Sequence, residues 1–157
     1  MNAFLANMLL AIAWAALLGR IDLGNLAFGF LLGYLTLAWV GSVPGSRAYV
    51  SRLPRAAGLL LFFLWELVLS TLRVALDVVT PHPMRRPGVV AIPLDARTDL
   101  EITLLSSLIT LTPGSLSLDV SEDRRYLYVH AMFLDDPEEF RRGIKEGFER
   151  RVLELLR

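Results

Sequence analysis

Two stretches without a single charged side chain, Ala3 to Gly19 and Leu23 to Val43, are separated only by Arg20, Ile21 and Asp22. At about 1.5 Å of helix per residue, each is long enough to cover most of a hydrocarbon core about 30 Å thick. A break this short leaves room only for a tight antiparallel pair of helices. A cleaved signal peptide is the rival reading of the first stretch. The small residues around Ala11 and Ala13 offer a cleavage site, but a basic n-region is missing and a second apolar run follows at once. Within the second stretch, Gly29 and Gly33 form a G-x-x-x-G spacing that lets another helix approach closely, although glycine is also simply common in membrane helices.

Pro44, Gly45 and Pro54 bracket a predicted loop carrying Arg47, Arg52 and Arg55, and Ala56 to Val79 is the third long apolar segment. Its middle is interrupted: Ser70, Arg73 and Asp77 fall four, seven and eleven residues after Glu66, so a helix aligns all four on one polar stripe. A carboxylate at the centre of a bilayer costs at least about 2.5 kcal/mol on insertion scales. Glu66 is therefore expected to face protein, water or Arg73 rather than lipid. Two roles fit it: a relay residue in an ion path, or a structural group paired with Arg73 or with a neighbouring subunit. Relays generally need several titratable groups in series, which favours the structural role.

Three crossings create a conflict. They put Arg47, Arg52 and Arg55 on the opposite side from Arg85, Arg86 and the charged C-terminal region, and the positive-inside rule cannot serve both. Either the middle loop is external or one segment does not fully cross, and the polar stripe makes the third segment the candidate for an atypical path. The preferred arrangement is three spans over residues 1–80 in a bacterial cytoplasmic membrane, with residues 81–157 forming a cytoplasmic domain.

Pro81, Pro83 and Pro87 stop any helix, and most of the charge lies beyond them. Gly88 to Leu94 reads as a strand near a sheet edge, because Pro93 cannot donate to a ladder. Thr98 followed by Glu101 is a capping box, and Leu104, Leu105, Leu108 and Ile109 then repeat with helical spacing, so a helix is predicted over 99–111. Leu116, Leu118 and Val120 alternate with Ser115, Ser117 and Asp119 as in a half-buried strand with the apolar residues inward, and Tyr126 to Phe133 supplies its hairpin partner. Asp136, Pro137 and Glu139 open a last helix whose apolar stripe is Phe140, Ile144, Phe148, Val152 and Leu155. Its outer face is predicted to carry Arg141, Arg142, Lys145, Glu146, Glu149, Arg150 and Arg151, either as a solvated surface or as a contact with headgroups or partner loops. The predicted architecture is a membrane α-helical half, about three helices with the first two a tight hairpin, plus a small α+β domain of order β-α-β-β-α.

Chemistry is sparse. Sixteen basic and sixteen acidic residues leave no net field for nucleic acid, and the absence of cysteine removes thiolate chemistry and cysteine metal sites. His82 and His130 are the only imidazoles. Ser115, His130 and Asp119 have the residue types of a hydrolase triad, but no nucleophile-elbow sequence surrounds Ser115. No catalytic, cofactor or metal residues are expected, nor a small-molecule substrate; the expected partners are lipid and other proteins.

The block PGVVAIPLDARTDLEITLLSSLITLTPGSLSLDV from Pro87 to Val120, the later YLYVHAMF and the LWEL of Leu64 to Leu67 resemble the E subunit of Mrp-type sodium/proton antiporters, the MrpE or MnhE family. The resemblance extends over nearly the whole chain. It implies a small, non-enzymatic accessory subunit of a large membrane hetero-oligomer, in which other subunits are thought to carry the ion and proton paths. Glu66 matches the family's WEL acid, and Thr110, Thr112, Pro113 and Gly114 match its TPG turn, without an implied catalytic role. The alternatives are direct participation in the ion path through Glu66, or a free-standing membrane-anchored binding module.

Overall fold

The computed structural model describes residues 3–40, 46–81 and 85–157. Pro44, Gly45, His82 and Pro83, which entered the reading of the loops, lie outside the described residues. Contacts divide the chain into two compact units, residues 1–54 and 55–157.

The first unit begins with helices α1 (Ala3–Leu17) and α2 (Leu23–Val40). Gly19, at φ +65°, closes α1 in a Schellman motif: its own N–H donates to Ala16 O at 3.0 Å, and Arg20 N–H to Ala15 O at 3.1 Å. Asp22 then caps α2 by accepting from Asn25 N at 2.9 Å. Only five residues, Leu18 to Asp22, thus stop one helix and start the next, which makes the hairpin tight. Its interior is built mainly from small residues, Ala3, Ala6, Ala11 and Ala15 against Gly29 and Gly33, with Leu37 the one large apolar side chain buried among the described residues of the pair, while Phe4, Leu5, Leu9, Phe28, Leu31 and Leu35 point outward. Small residues inside and large apolar residues outside suit helices that meet each other closely and meet lipid elsewhere.

Helix α3 (Ser46–Val79) corrects one expectation. Arg47, Arg52 and Arg55 lie within a helix, not in a loop, and Pro54 sits inside it. Proline lacks an N–H, so it leaves the carbonyl four residues back without its helical donor. That carbonyl is Val50 O, and the Tyr34 hydroxyl donates to it at 2.9 Å. A side chain of α2 thereby satisfies the group that Pro54 strands. Leu23–Val40 and Ala48–Val79 are long and apolar enough to cross a membrane, whereas Ala3–Leu17 is shorter.

The second unit contains α3 from Arg55 onward and the α+β part. Strands β1 (Gly88–Pro93), β2 (Ser115–Val120) and β3 (Tyr126–Ala131) form an antiparallel sheet of order β1-β3-β2. Helix α4 (Asp99–Leu111) and helices α5 (Pro137–Ile144) and α6 (Arg150–Leu156), joined by a π-helical turn over Lys145–Glu149, complete it. The predicted β-α-β-β-α order is therefore observed, with β1 at an edge as Pro93 required. Val90, Ile92, Leu105, Ile109, Leu127, Val129, Ile144 and Phe148 form the core, and Phe62 and Phe63 of α3 pack against it.

Strand β2 faces the other way from its expected phase. Leu116 and Leu118 are 46% and 51% exposed, and the serines turn inward. Ser115 Oγ donates to Ile109 O at 2.7 Å and Ser117 Oγ to Ser106 O at 3.1 Å, so both hydroxyls satisfy carbonyls of α4. A bulge between Ser117 and Asp119 then shifts the phase, and Val120 packs on the core.

The last helical stretch departs from its expected outer face for a similar reason. Phe140, Ile144, Phe148 and Val152 recur every four residues, and twelve residues of regular helix overshoot three turns by about 120°. The extra residue of a π turn takes back about 100° and keeps the four on one face. It also carries Glu149 inside, where it is 1% exposed rather than solvated.

Candidate functional site

From α3, Phe62, Glu66, Ser70 and Arg73 line one side of a cavity of about 580 Å³. Thr112 to Ser115, at the turn between α4 and β2, line a second side. Asp135, Asp136, Glu139, Phe140 and Gly143 of α5 and its approach line the third. Ile109, Phe133, Ile144 and Phe148 also line it, so an apolar interior carries an acidic rim.

The polar stripe is only partly a unit. Ser70 Oγ donates to Glu66 O at 2.7 Å, which ties its hydroxyl to its own helix. Arg73 is exposed, and no ion pair joins it to Glu66 among the described residues. Asp77 lies outside the cavity lining: it is 2% exposed, with Arg85 Nε 2.8 Å from its carboxylate. Periodicity did not foretell Asp135, Asp136 and Glu139, which reach the same cavity from a distant part of the chain. Asp135 faces Arg86 at 3.5 Å, and Asp136 caps α5 by accepting from Glu138 N at 2.8 Å.

In the first unit, Gly29 and Gly33 lie against α1. A Cβ on Gly29 would sit 2.9 Å from Trp14 Cβ and 3.0 Å from Ala11 Cα, closer than side-chain carbons approach, and one on Gly33 would meet Asn7 and Leu10. Asn7, which the sequence reading passed over, is fully buried there and donates to the Tyr49 hydroxyl at 2.9 Å. The available signal was the amide itself, since an asparagine within an apolar helix needs an internal partner.

A charged clamp holds the α+β part. Glu149 accepts from Asp95 N at 2.6 Å and Ala96 N at 3.0 Å and pairs with Lys145 at 2.9 Å. Burial works against the Lys145 ammonium, but its hydrogen bonds to Asp95 and Glu149 outweigh this and leave its pKa raised. Glu101 completes the capping box with Thr98 and pairs with Arg157 at 2.9 Å. The Arg157 hydrogen bond first, then those from Arg97 N and Thr98 N, pull the Glu101 carboxyl down to about 2. Lys145 and Arg151 are thus bound inward: Lys145 donates to Pro93 O at 2.8 Å, and the Arg151 guanidinium lies 3.9 Å over the Phe62 ring.

Ser115, His130 and Asp119 are not assembled into a triad. Ser115 pairs with Ala131 and its hydroxyl is bonded to α4, while His130 pairs with Leu116, whose side chain is on the exposed face. The TPG turn has a structural explanation in Thr112 Oγ1, which donates to Ile109 O at 2.6 Å, and Gly114, at φ +90°.

The family model described as Na+/H+ ion antiporter subunit matches residues 7–155. The chain belongs to this family. The E subunit of the Na(+)/H(+) antiporter of Bacillus subtilis is 37% identical over 153 residues, covering 98% of this chain and 97% of the relative. A chain in the structure of the Mrp complex from Dietzia sp. is 36% identical with a TM-score of 0.51, covering 66% of this chain and 96% of that one. A chain of the membrane-bound sulfane sulfur reductase, an archaeal respiratory membrane complex, has a TM-score of 0.55 over 97% of this chain and 98% of its own. At 23% identity that likeness concerns the fold alone. The resemblance read from the Pro87 to Val120 block is thereby confirmed.

Proposed function

We propose that the chain is an accessory, structural subunit of an Mrp-type Na+/H+ antiporter, which helps the other subunits assemble and stay assembled in the bacterial cell membrane. The observation that supports this most is the state of the polar stripe. Ser70 lines the cavity with its hydroxyl tied to its own backbone, Asp77 is buried against Arg85 outside it, and of the stripe's charged groups Glu66 and Arg73 reach the cavity. A relay needs titratable groups in series, and the α1–α2 hairpin contributes none to its interior.

In this reading residues 1–80 are the membrane part and 81–157 a cytoplasmic domain, with α1 and α2 crossing and α3 lying along the membrane surface. At about 1.5 Å per residue, the 34-residue α3 is roughly 50 Å long, more than a bilayer core needs. One face of it, with Leu60, Leu64, Trp65, Val68, Leu72 and Leu76, is exposed and apolar, which suits lipid. The α+β part packs alongside it from Arg55, which donates to Glu154 O at 2.8 Å, through Phe62 on Phe148. A crossing α3 would draw those charged elements into hydrocarbon. Two crossings instead place Arg47, Arg52, Arg55, Arg85 and Arg86 on one side, in keeping with the positive-inside rule. Reporters fused to the two termini should then report the same side; opposite sides would exclude this topology.

A second reading, direct participation of Glu66 in the ion path, draws support from the carboxylates that share its cavity. The assembly role itself is tested by mild-detergent purification of the tagged chain from its native membrane. Antiporter subunits in fixed proportion support it, and a chain that comes down alone favours a membrane-anchored binding module.

A further inference from the structure

We propose that the cavity between α3 and α5 is a docking groove for the cytoplasmic end of a transmembrane helix of another antiporter subunit, a segment in which apolar residues run into Lys or Arg. This rests on the accessory-subunit reading and names the contact by which it operates. The groove offers Phe62, Phe133, Phe140 and Phe148 to apolar side chains, and Glu66, Asp135, Asp136 and Glu139 against a single basic residue, Arg73. Four carboxylates, against Arg73 in the lining and Arg86 paired with Asp135 at 3.5 Å, leave a local charge of −2 in a chain whose net charge is zero. Anionic headgroups are disfavoured by that field, and a basic partner is attracted.

The charge complementarity has a general source. Membrane proteins concentrate Lys and Arg where their helices emerge on the cytoplasmic side, immediately after apolar turns. Such a helix end has the chemistry that the groove lacks. It also accounts for Glu66, which is half-buried in the chain and joined to no cation among the described residues. Its counter-ion is then supplied by the neighbouring subunit. Residues at the mouth are free to make this contact: Glu139 is exposed, and a Cβ on Gly143 would meet nothing within 4 Å.

That open space at Gly143 provides the test. Gly143→Leu projects a bulky side chain from a position where the Cβ meets nothing within 4 Å, and Glu139→Lys reverses a rim charge at an exposed position. Each variant is expressed as a tagged full-length chain in the native membrane, beside wild type and beside a wild-type chain carrying a photo-crosslinker at position 139. Both variants should accumulate and insert as wild type does, with co-purifying antiporter subunits reduced at least tenfold. The crosslink should fall on a Lys- or Arg-bearing helix end of one subunit. Undiminished co-purification with Gly143→Leu, or crosslinks to lipid alone, would overturn the groove while leaving the accessory role intact. A wild-type chain that comes down alone would overturn both. If Gly143→Leu fails to accumulate, the Glu139→Lys result and the crosslink decide the matter.

Discussion

In the α1–α2 hairpin Ala3, Ala6, Ala11, Ala15, Gly29 and Gly33 are inside and, Leu37 apart, the large leucines and phenylalanines are mostly outside. In the α+β part Ile92, Leu105, Leu127 and Val129 are inside, and the outer surface is mostly charged. The two regions are built for different solvents. Where lipid surrounds a helix, burying a leucine gains little, so close backbone approach through Gly29 and Gly33 and a hydrogen bond from Asn7 supply the cohesion. Where water surrounds the sheet, apolar burial supplies it, and buried charges are tolerated only when fully paired, as Glu149 is. The hairpin should therefore be sensitive to side-chain size and the α+β part to loss of charge.

The largest effect should come from Glu149→Ala. It leaves Lys145 without its buried partner and two N–H groups of the β1–α4 connection without an acceptor, at a cost of about 3 kcal/mol. A thermal melt of the full chain in detergent measures this, and a near-neutral result would break the contrast. Gly29→Leu comes next, at about 2 kcal/mol from overpacking against Trp14 and Ala11, read as protease sensitivity of the hairpin.

The Glu101 carboxyl sharpens the comparison through pH. Its folded pKa is depressed from 4.5 to about 2, so its contribution to stability is fully present above about 4.5 and is lost as pH falls towards 2. The melting midpoint should fall across that window, and Glu101→Gln should flatten this part of the slope. The smallest effect is expected from Tyr34→Phe, about 1 kcal/mol, because it leaves the carbonyl stranded by Pro54 without a donor. Replacing Pro54 by Ala in the same chain should restore stability by giving Val50 O a helical N–H.

Features set by neighbours in sequence were legible in advance. The Thr98–Glu101 box, the Asp136–Pro137 start and the β2–β3 hairpin all depend on residues a few positions apart. Features settled by a distant group were not. Pro54 reads as a helix end unless Tyr34 is known to reach Val50, and β2 reads as leucine-inward unless α4 is known to offer carbonyls to Ser115 and Ser117. Glu149 lay between these cases, since the recurrence of four from Phe140 to Val152 was a visible sign of a π turn. At the candidate site, helical spacing sufficed to align Glu66, Ser70 and Arg73. The acidic rim could not be assembled from it, because Asp135, Asp136 and Glu139 arrive through the packing of α5.

In the proposed reading Glu66 serves contact between subunits and not ion passage. The most direct test of this is Na+/H+ antiport in everted vesicles carrying Glu66→Gln, normalised to the amount of assembled complex. The structural role predicts unchanged antiport per assembled complex, with any loss appearing as less complex. Full assembly with antiport abolished would contradict it and place Glu66 in the ion path.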